Sequence, residues 1–192
     1  MIIILLGPPG SGKGTQANFI QKRLSIPHLS TGDILRKAIK DRTELGITVE
    51  KIMANGELVS DEVILNVIRD RVIQDDCKSG FILDGYPRNI KQAKSLNIVL
   101  EEINKEINKI ILLDVNFDSL KSRISSRNKE NTAETRADDT SEVLIKRVEE
   151  YKNQTAPLEN YYKNNKNFNK INGMESISDV SINIENFLDI AN

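Results

Sequence analysis

Residues Gly7 to Thr15 read GPPGSGKGT and follow directly on the apolar run Met1 to Leu6, MIIILL. That junction of a strand and a glycine-rich turn is built to hold the phosphates of a nucleotide. A polyphosphate needs several backbone N–H groups converging on it. Gly7, Gly10, Gly12 and Gly14 are expected to take positive φ and come close with no Cβ in the way. A helix starting near Lys13 adds its positive end, and the Lys13 ammonium can reach the β- and γ-phosphates. The general pattern is G-x-x-x-x-G-K-[ST]. Here Gly14 follows the lysine, and the hydroxyl arrives one residue later, at Thr15. A turn that only caps a strand would account for one or two of these glycines, but not for four with a lysine among them.

Short apolar runs alternate with helical patterns along the chain. Strands are expected near Ile2 to Leu6, Phe81 to Leu83 and Ile110 to Val115, with weaker ones near Pro27 to Leu29 and Phe168 to Ile171. Helical spacing covers Lys13 to Leu24, Asp61 to Gln74, Asn89 to Leu100, Phe117 to Arg127, Ser141 to Tyr151 and Ser176 to Ile190. This alternation is the signature of an α/β fold, a parallel sheet with helices on both faces. Ser30-Thr31-Gly32-Asp33 offers N-cap side chains for a further helix through Lys40, and Thr43 to Asn55 reads as another that Gly56 ends. Ser30 to Val59 is thus a helical excursion from the sheet. Asn128 to Thr135, NKENTAET, is polar and aperiodic, a candidate lid between arginine-bearing segments. Asn153 to Asn169 reads as an exposed helix and turn, because Tyr151, Leu158, Tyr161 and Tyr162 recur at near-helical spacing.

Composition narrows the class. A chain of 192 residues fits one domain with insertions and can bury a substantial core. Its 27 basic and 28 acidic residues leave a net charge of −1, so no global field draws it to nucleic acid or to an anionic membrane. Met1 to Leu6 is too short for a signal-peptide core, and no later apolar run approaches membrane-spanning length. A cytoplasmic protein is expected. The one cysteine, Cys77, excludes an intramolecular disulfide and a cysteine-rich zinc site. No apolar surface stripe is evident, so a monomer is expected.

The arginines bear on the acceptor of the phosphoryl group. Of ten, Arg36, Arg88, Arg123, Arg127, Arg136 and Arg147 stand at element ends or beside the polar loop, where a strand-end cleft forms in such a sheet. Arg123 and Arg127 are four apart, hence on one helical face. Planar, permanently charged guanidinium groups suit phosphate oxygens and can offset the repulsion between two facing nucleotides. Asp84, in FILDGYPR, ends a buried strand, a place for a carboxylate that organises Mg²⁺ through its water shell. Asp114, ending KIILLDV, matches the same description, but the glycine after Asp84 and Arg88 beyond it favour Asp84; Asp114 reads as a strand-terminal or capping carboxylate. His28, between Pro27 and Leu29, reads as a packed structural residue. No general base is apparent. A hydroxyl acceptor would need one, whereas a phosphate acceptor with a second pKa near 6 is already ionised.

Taken in order, GPPGSGKGTQ, STGDILR, DGYPR followed by Gln92, and Arg136 with Asp138 and Asp139 in TRADD resemble the adenylate kinase family over nearly the whole chain. The resemblance implies reversible transfer from Mg-ATP to AMP giving two ADP. It also implies a three-layer phosphate-loop fold with five parallel strands, a nucleoside-monophosphate-binding insert (residues 30–59) and a short lid (residues 126–138). Carried over by position, Gly10, Ser11, Gly12, Lys13, Gly14 and Thr15 would hold the ATP phosphates, with Arg123 against the donor adenine and Arg127 on its phosphates. Thr31, Arg36, the Val59 backbone, Gly85, Arg88 and Gln92 would hold AMP. Arg136 and Arg147 would neutralise the transferring group, and Asp138 and Asp139 would orient them.

The lid has no cysteine, so this resembles the short, zinc-free form with Mg²⁺ as its metal. Asn89 resembles the related uridylate-cytidylate kinases, whereas Thr31 and Gln92 stand where that group resembles Ala and Asn. Pyrimidine monophosphates are therefore the rival acceptors. A different rival is a switch protein that slowly hydrolyses ATP or GTP; the guanine-reading N-K-x-D pattern does not occur.

Overall fold

A computed structural model describes residues 1–120 and 140–190. Strands β1 (Ile2–Leu6), β2 (His28–Ser30), β3 (Phe81–Asp84), β4 (Lys109–Asp114) and β5 (Phe168–Asn172) form one parallel sheet in the order β2-β3-β1-β4-β5. Around it lie α1 (Lys13–Leu24), α2 (Thr31–Lys40), α3 (Glu44–Ala54), α4 (Asp61–Val72), α5 (Ile90–Glu102), α6 (Ser141–Glu150), α7 (Pro157–Tyr162) and α8 (Ile177–Leu188). Residues 117–120 are helical; the rest of the helix expected to Arg127, and the lid, lie outside the described residues.

The uninterrupted apolar run of β1 follows from its place at the centre of a sheet covered on both sides. Successive side chains point to opposite faces. Ile2, Ile4 and Leu6 join one core with Ile64 and Ile68 of α4 and Leu96 and Leu100 of α5. Ile3 and Leu5 join the other with Ala17 and Ile20 of α1 and Val180 and Ile184 of α8. Each fully buried Ile or Leu contributes roughly 1.5–3 kcal/mol, so both faces hold the helices in place.

Parallel strands put their C-terminal ends along one edge of the sheet, and the chain crosses sides at β1, which pairs with β3 on one flank and β4 on the other. Ligands bind in the crevice at such a reversal. The loop after β1, the start of α2 after β2, and the turn from Gly85 to Asn89 after β3 all open there. Hydroxyl side chains start the helices that frame it: Ser30 Oγ accepts from Asp33 N, Thr43 Oγ1 from Gly46 N, and Ser60 Oγ from Val63 N.

Two expectations need correction. Gly7, Gly10 and Gly12 have φ of 145°, 81° and 95°, but Gly14 does not share their left-handed conformation, because α1 already begins at Lys13. The segment from Asn153 is helical as read, yet only one side of it is exposed: Thr155, Leu158 and Tyr162 are buried against the core. One π-helical turn, Tyr151–Thr155, links α6 to α7.

Candidate active site

The strand-end crevice holds a cavity of about 660 Å³. Its floor is the phosphate loop. Gly12 stands at the start of α1 in the left-handed region with no side-chain cap, so the first N–H groups of the helix face the crevice unmasked. Gly7 is required by contact as well as by φ, since a Cβ there would lie 2.7 Å from Ser11 Oγ and 3.0 Å from Leu113 O. Ser11 Oγ is buried and has no hydrogen-bond partner among the described residues.

Lys13 folds back over this loop, its Nζ donating to Gly7 O at 2.7 Å and Pro8 O at 2.9 Å. Burial pushes its pKa down to about 8; the Asp84 carboxylate works in the other direction, and the Arg88 and Arg147 cations add to the depression. Three cations therefore press on one another across the crevice, an arrangement that an anion relieves.

Asp84 ends β3 at the crevice wall, and its Oδ2 lies 3.2 Å from His28 Nε2. Burial opposes its charge, but the hydrogen bond from His28 outweighs it with help from Lys13, His28 and Arg88, so the carboxyl is held below its usual range. A charged carboxylate can only accept, so His28 Nε2 carries the proton in this contact. An ionised, largely buried carboxylate facing the lysine is a donor suited to Mg²⁺ through water. No group of three or more His, Cys, Asp or Glu side chains suited to a metal occurs among the described residues. Asp114 is exposed and pairs with Lys170 at 3.3 Å, outside the cavity lining.

The opposite wall comes from the excursion after β2 and the turn after β3. Thr31 is buried at the cavity lining, and its Oγ1 donates to Gly85 O at 3.0 Å. Arg36 pairs with Asp33 and lines the cavity with Val59. Arg88 donates from Nε to Gly85 O at 2.8 Å, and Arg147 of α6 reaches the same space. Gln92, in the first turn of α5, is 3% exposed: its Oε1 accepts from Arg88 N at 2.7 Å and its Nε2 donates to Asp61 Oδ1 at 2.8 Å.

The structure thus gathers Gly10, Gly12, Lys13, Gly14 and Thr15 on one side and Thr31, Arg36, Val59, Gly85, Arg88 and Gln92 on the other, with Asp84 and Arg147 between them. Arg123, Arg127, Arg136, Asp138 and Asp139 lie outside the described residues. Sequence reasoning missed Asp61, which looked like any acidic residue in a first helical turn. It also missed Thr155, whose Oγ1 donates to Arg88 O at 2.8 Å and which nothing in its local sequence sets apart.

Comparison with known proteins bears on the same residues. The family model described as adenylate kinase matches residues 5–167. An adenylate kinase of Clostridium botulinum (strain Loch Maree / Type A3) is 42% identical over 98% of each chain. One of Leptospira biflexa is 42% identical over 93% of this chain and 95% of the relative, and one of Fusobacterium nucleatum is 40% identical over 95% of each. With its phosphate loop, its converging cations and this full-length likeness, the chain belongs to the adenylate kinase family, the nucleoside monophosphate kinases.

Proposed function

We propose that the chain transfers a phosphoryl group reversibly from Mg-ATP to AMP, giving two ADP. The observation that carries this reading is the convergence of Lys13, from the phosphate loop, with Arg88 and Arg147 from the opposite wall on one space. A donor's phosphates on the loop and an acceptor's phosphate beneath Arg88 would meet there. In the forward direction an oxygen of the AMP phosphate attacks the γ-phosphorus. A new O–P bond forms, the bond from that phosphorus to the β-bridging oxygen breaks, and its electron pair stays on the departing ADP. The attacking oxygen is already ionised, so the site needs alignment and charge neutralisation rather than a base.

In this reading Gly10, Ser11, Gly12, Lys13, Gly14 and Thr15 hold the donor phosphates, and Arg123 and Arg127 its adenine and phosphates. Thr31, Arg36, the Val59 backbone, Gly85, Arg88 and Gln92 hold AMP. Arg136 and Arg147, oriented by Asp138 and Asp139, neutralise the group in flight. Mg²⁺ bound with ATP would screen the phosphate charge, and Asp84 would hold it through its water shell. Helices α2 and α3 form the monophosphate-binding insert, residues 30–59, and residues 126–138 the lid that excludes water. The protein works as a metal-free monomer apart from Mg²⁺, in the cytoplasm, without nucleic-acid or membrane partners. A net charge of −1 supports the last point. Among the described residues no helix is long and apolar enough to cross a membrane.

The test is phosphoryl transfer from Mg-ATP to AMP, CMP, UMP, GMP and no acceptor, with each diphosphate quantified. ADP formation that depends on AMP is the expected result. Preference for CMP or UMP would move the chain to the pyrimidine kinases, and acceptor-independent hydrolysis would point to a switch.

A further inference from the structure

The Gln92 amide is held at both ends by groups that cannot exchange roles. Its oxygen accepts from Arg88 N, a backbone N–H that can only donate, and its Nε2 donates to Asp61 Oδ1. Asp61 is ionised: burial works against the charge, but hydrogen bonds from Asn89 and Gln92, with Lys91 nearby, hold its carboxyl below the usual range. An ionised carboxylate can only accept. Rotating the amide by half a turn would set N–H against N–H at Arg88 and oxygen against carboxylate at Asp61. The surroundings allow no drift either. Gln92 N donates to Asn89 Oδ1 at 2.8 Å, Tyr86 Oη donates to Gln92 O at 3.2 Å, and Asn89 Nδ2 donates to the same Asp61 oxygen at 2.9 Å.

A primary amide has two N–H donors and two oxygen lone pairs, and these contacts use one of each. What remains on a cavity-lining side chain is one donor and one acceptor in fixed order. Adenine offers an exocyclic N–H donor beside a ring-nitrogen acceptor and matches that pair. Hypoxanthine and guanine present a carbonyl oxygen beside a ring N–H, the reverse pattern, and match only a rotated amide.

We propose that Asp61 is a specificity-determining positioning residue, fixing the polarity of the Gln92 amide so that the acceptor site takes a 6-amino purine monophosphate and refuses a 6-oxo one. The inference rests on Gln92 reading the acceptor base. Asp61 itself touches no substrate; it acts from the first turn of α4 through Gln92, and Asn89 aims it by sharing its oxygen.

Inosine monophosphate is the probe, because it differs from AMP only at this edge. The experiment measures kcat and KM for AMP and for IMP, with Mg-ATP as donor, in the parent chain and in Asp61→Asn, Asp61→Ala and Gln92→Leu. An asparagine side chain can donate as well as accept, and an alanine does neither, so both replacements of Asp61 remove the carboxylate's half of the lock and leave Arg88 N alone to oppose a turned amide. Each is expected to lower the AMP-to-IMP ratio of kcat/KM by about tenfold, the discrimination of one bidentate base contact. The change should lie mainly in KM, with the KM for ATP unchanged. Parallel losses with AMP and IMP, leaving the ratio intact in both Asp61 variants while Gln92→Leu collapses it, would assign Asp61 a structural role and overturn the proposal. A ratio that survives Gln92→Leu would overturn the reading of Gln92 and this proposal with it.

Discussion

Thr155 Oγ1 donates to the Arg88 carbonyl oxygen at 2.8 Å, so the π-helical turn behind α6 holds the turn that carries Arg88. A π-helical turn inserts extra chain and re-aims the residues beyond it. Here it presents both Tyr151 and Thr155 to the cavity, on the segment that also carries Arg147. The two arginines proposed to face the transferring phosphate thus share one hydrogen-bonded frame.

Replacing Thr155 with Val keeps the shape and removes the donor, leaving the Arg88 carbonyl without this partner. The expected cost is about 1–2 kcal/mol of stability. The KM for AMP should rise several-fold while the KM for ATP stays put, because the loosened turn belongs to the proposed acceptor wall. Equal changes in both constants, read from steady-state kinetics beside a denaturant melt, would show that Thr155 supports the fold without tuning Arg88.

Arg88→Ala is the sharper lesion. If the guanidinium binds the acceptor phosphate more tightly as charge redistributes in the transition state, kcat should fall by roughly 10² or more and the KM for AMP should rise. Loss of this cation also removes one of the groups that depress Lys13, so binding of ATP alone should survive. Calorimetric titration with a non-hydrolysable ATP analogue separates these effects, and unchanged AMP kinetics would refute the assignment.

Much of this site was legible from local pattern. The continuous run Ile2 to Leu6 announced a strand covered on both faces, and the hydroxyl residues Ser30 and Thr43 announced helix starts that the structure keeps. What escaped was tertiary. Asp61 meets Gln92 only because α4 and α5 pack side by side. His28 looked like core filler, yet in the parallel pairing Ser30 lies opposite Asp84, and His28, two residues earlier on the same face, reaches the Asp84 carboxylate. Gly14 escaped for a different reason: four glycines suggested one shared conformation, but a helix that begins at Lys13 makes the last of them an ordinary helical residue.

Lys13 gives a pH prediction. In the folded chain without nucleotide it releases its proton at about 8, against 10.5 for an unperturbed lysine. Between those values the unfolded chain binds more protons than the native one, so stability attributable to Lys13 rises with pH through this window. At lower pH the buried ammonium is a net burden, and Lys13→Met should stabilise the ligand-free protein by about 1–3 kcal/mol near pH 7. That advantage should shrink as pH approaches about 10. Paired urea melts across the range decide it; an advantage independent of pH would mean that packing, not charge, is responsible. Catalysis should run the opposite way, with kcat/KM for ATP falling above about pH 8 as the free enzyme loses the cation proposed to meet the phosphates.

Gly14 and Gly46 sit in helices with opposite surroundings, and each makes a prediction that calibrates the other. A Cβ on Gly46 would overlap the Ala38 carbonyl, because α3 packs its backbone directly against the end of α2. Gly46→Ala must push these helices apart, at an expected cost of about 2–4 kcal/mol, with a raised KM for AMP since the pair frames the proposed acceptor wall. A Cβ on Gly14 meets nothing within 4 Å, so Gly14→Ala relieves the helix of a glycine and should stabilise the ligand-free chain by about 0.5–1 kcal/mol. The same methyl group stands on the open side of the phosphate loop, where the proposed donor phosphates must approach the backbone. Gly14→Ala should therefore raise the melting temperature while weakening ATP binding. A variant both more stable and undiminished in ATP affinity would show that the phosphates do not approach the backbone at Gly14, and would remove it from the donor site.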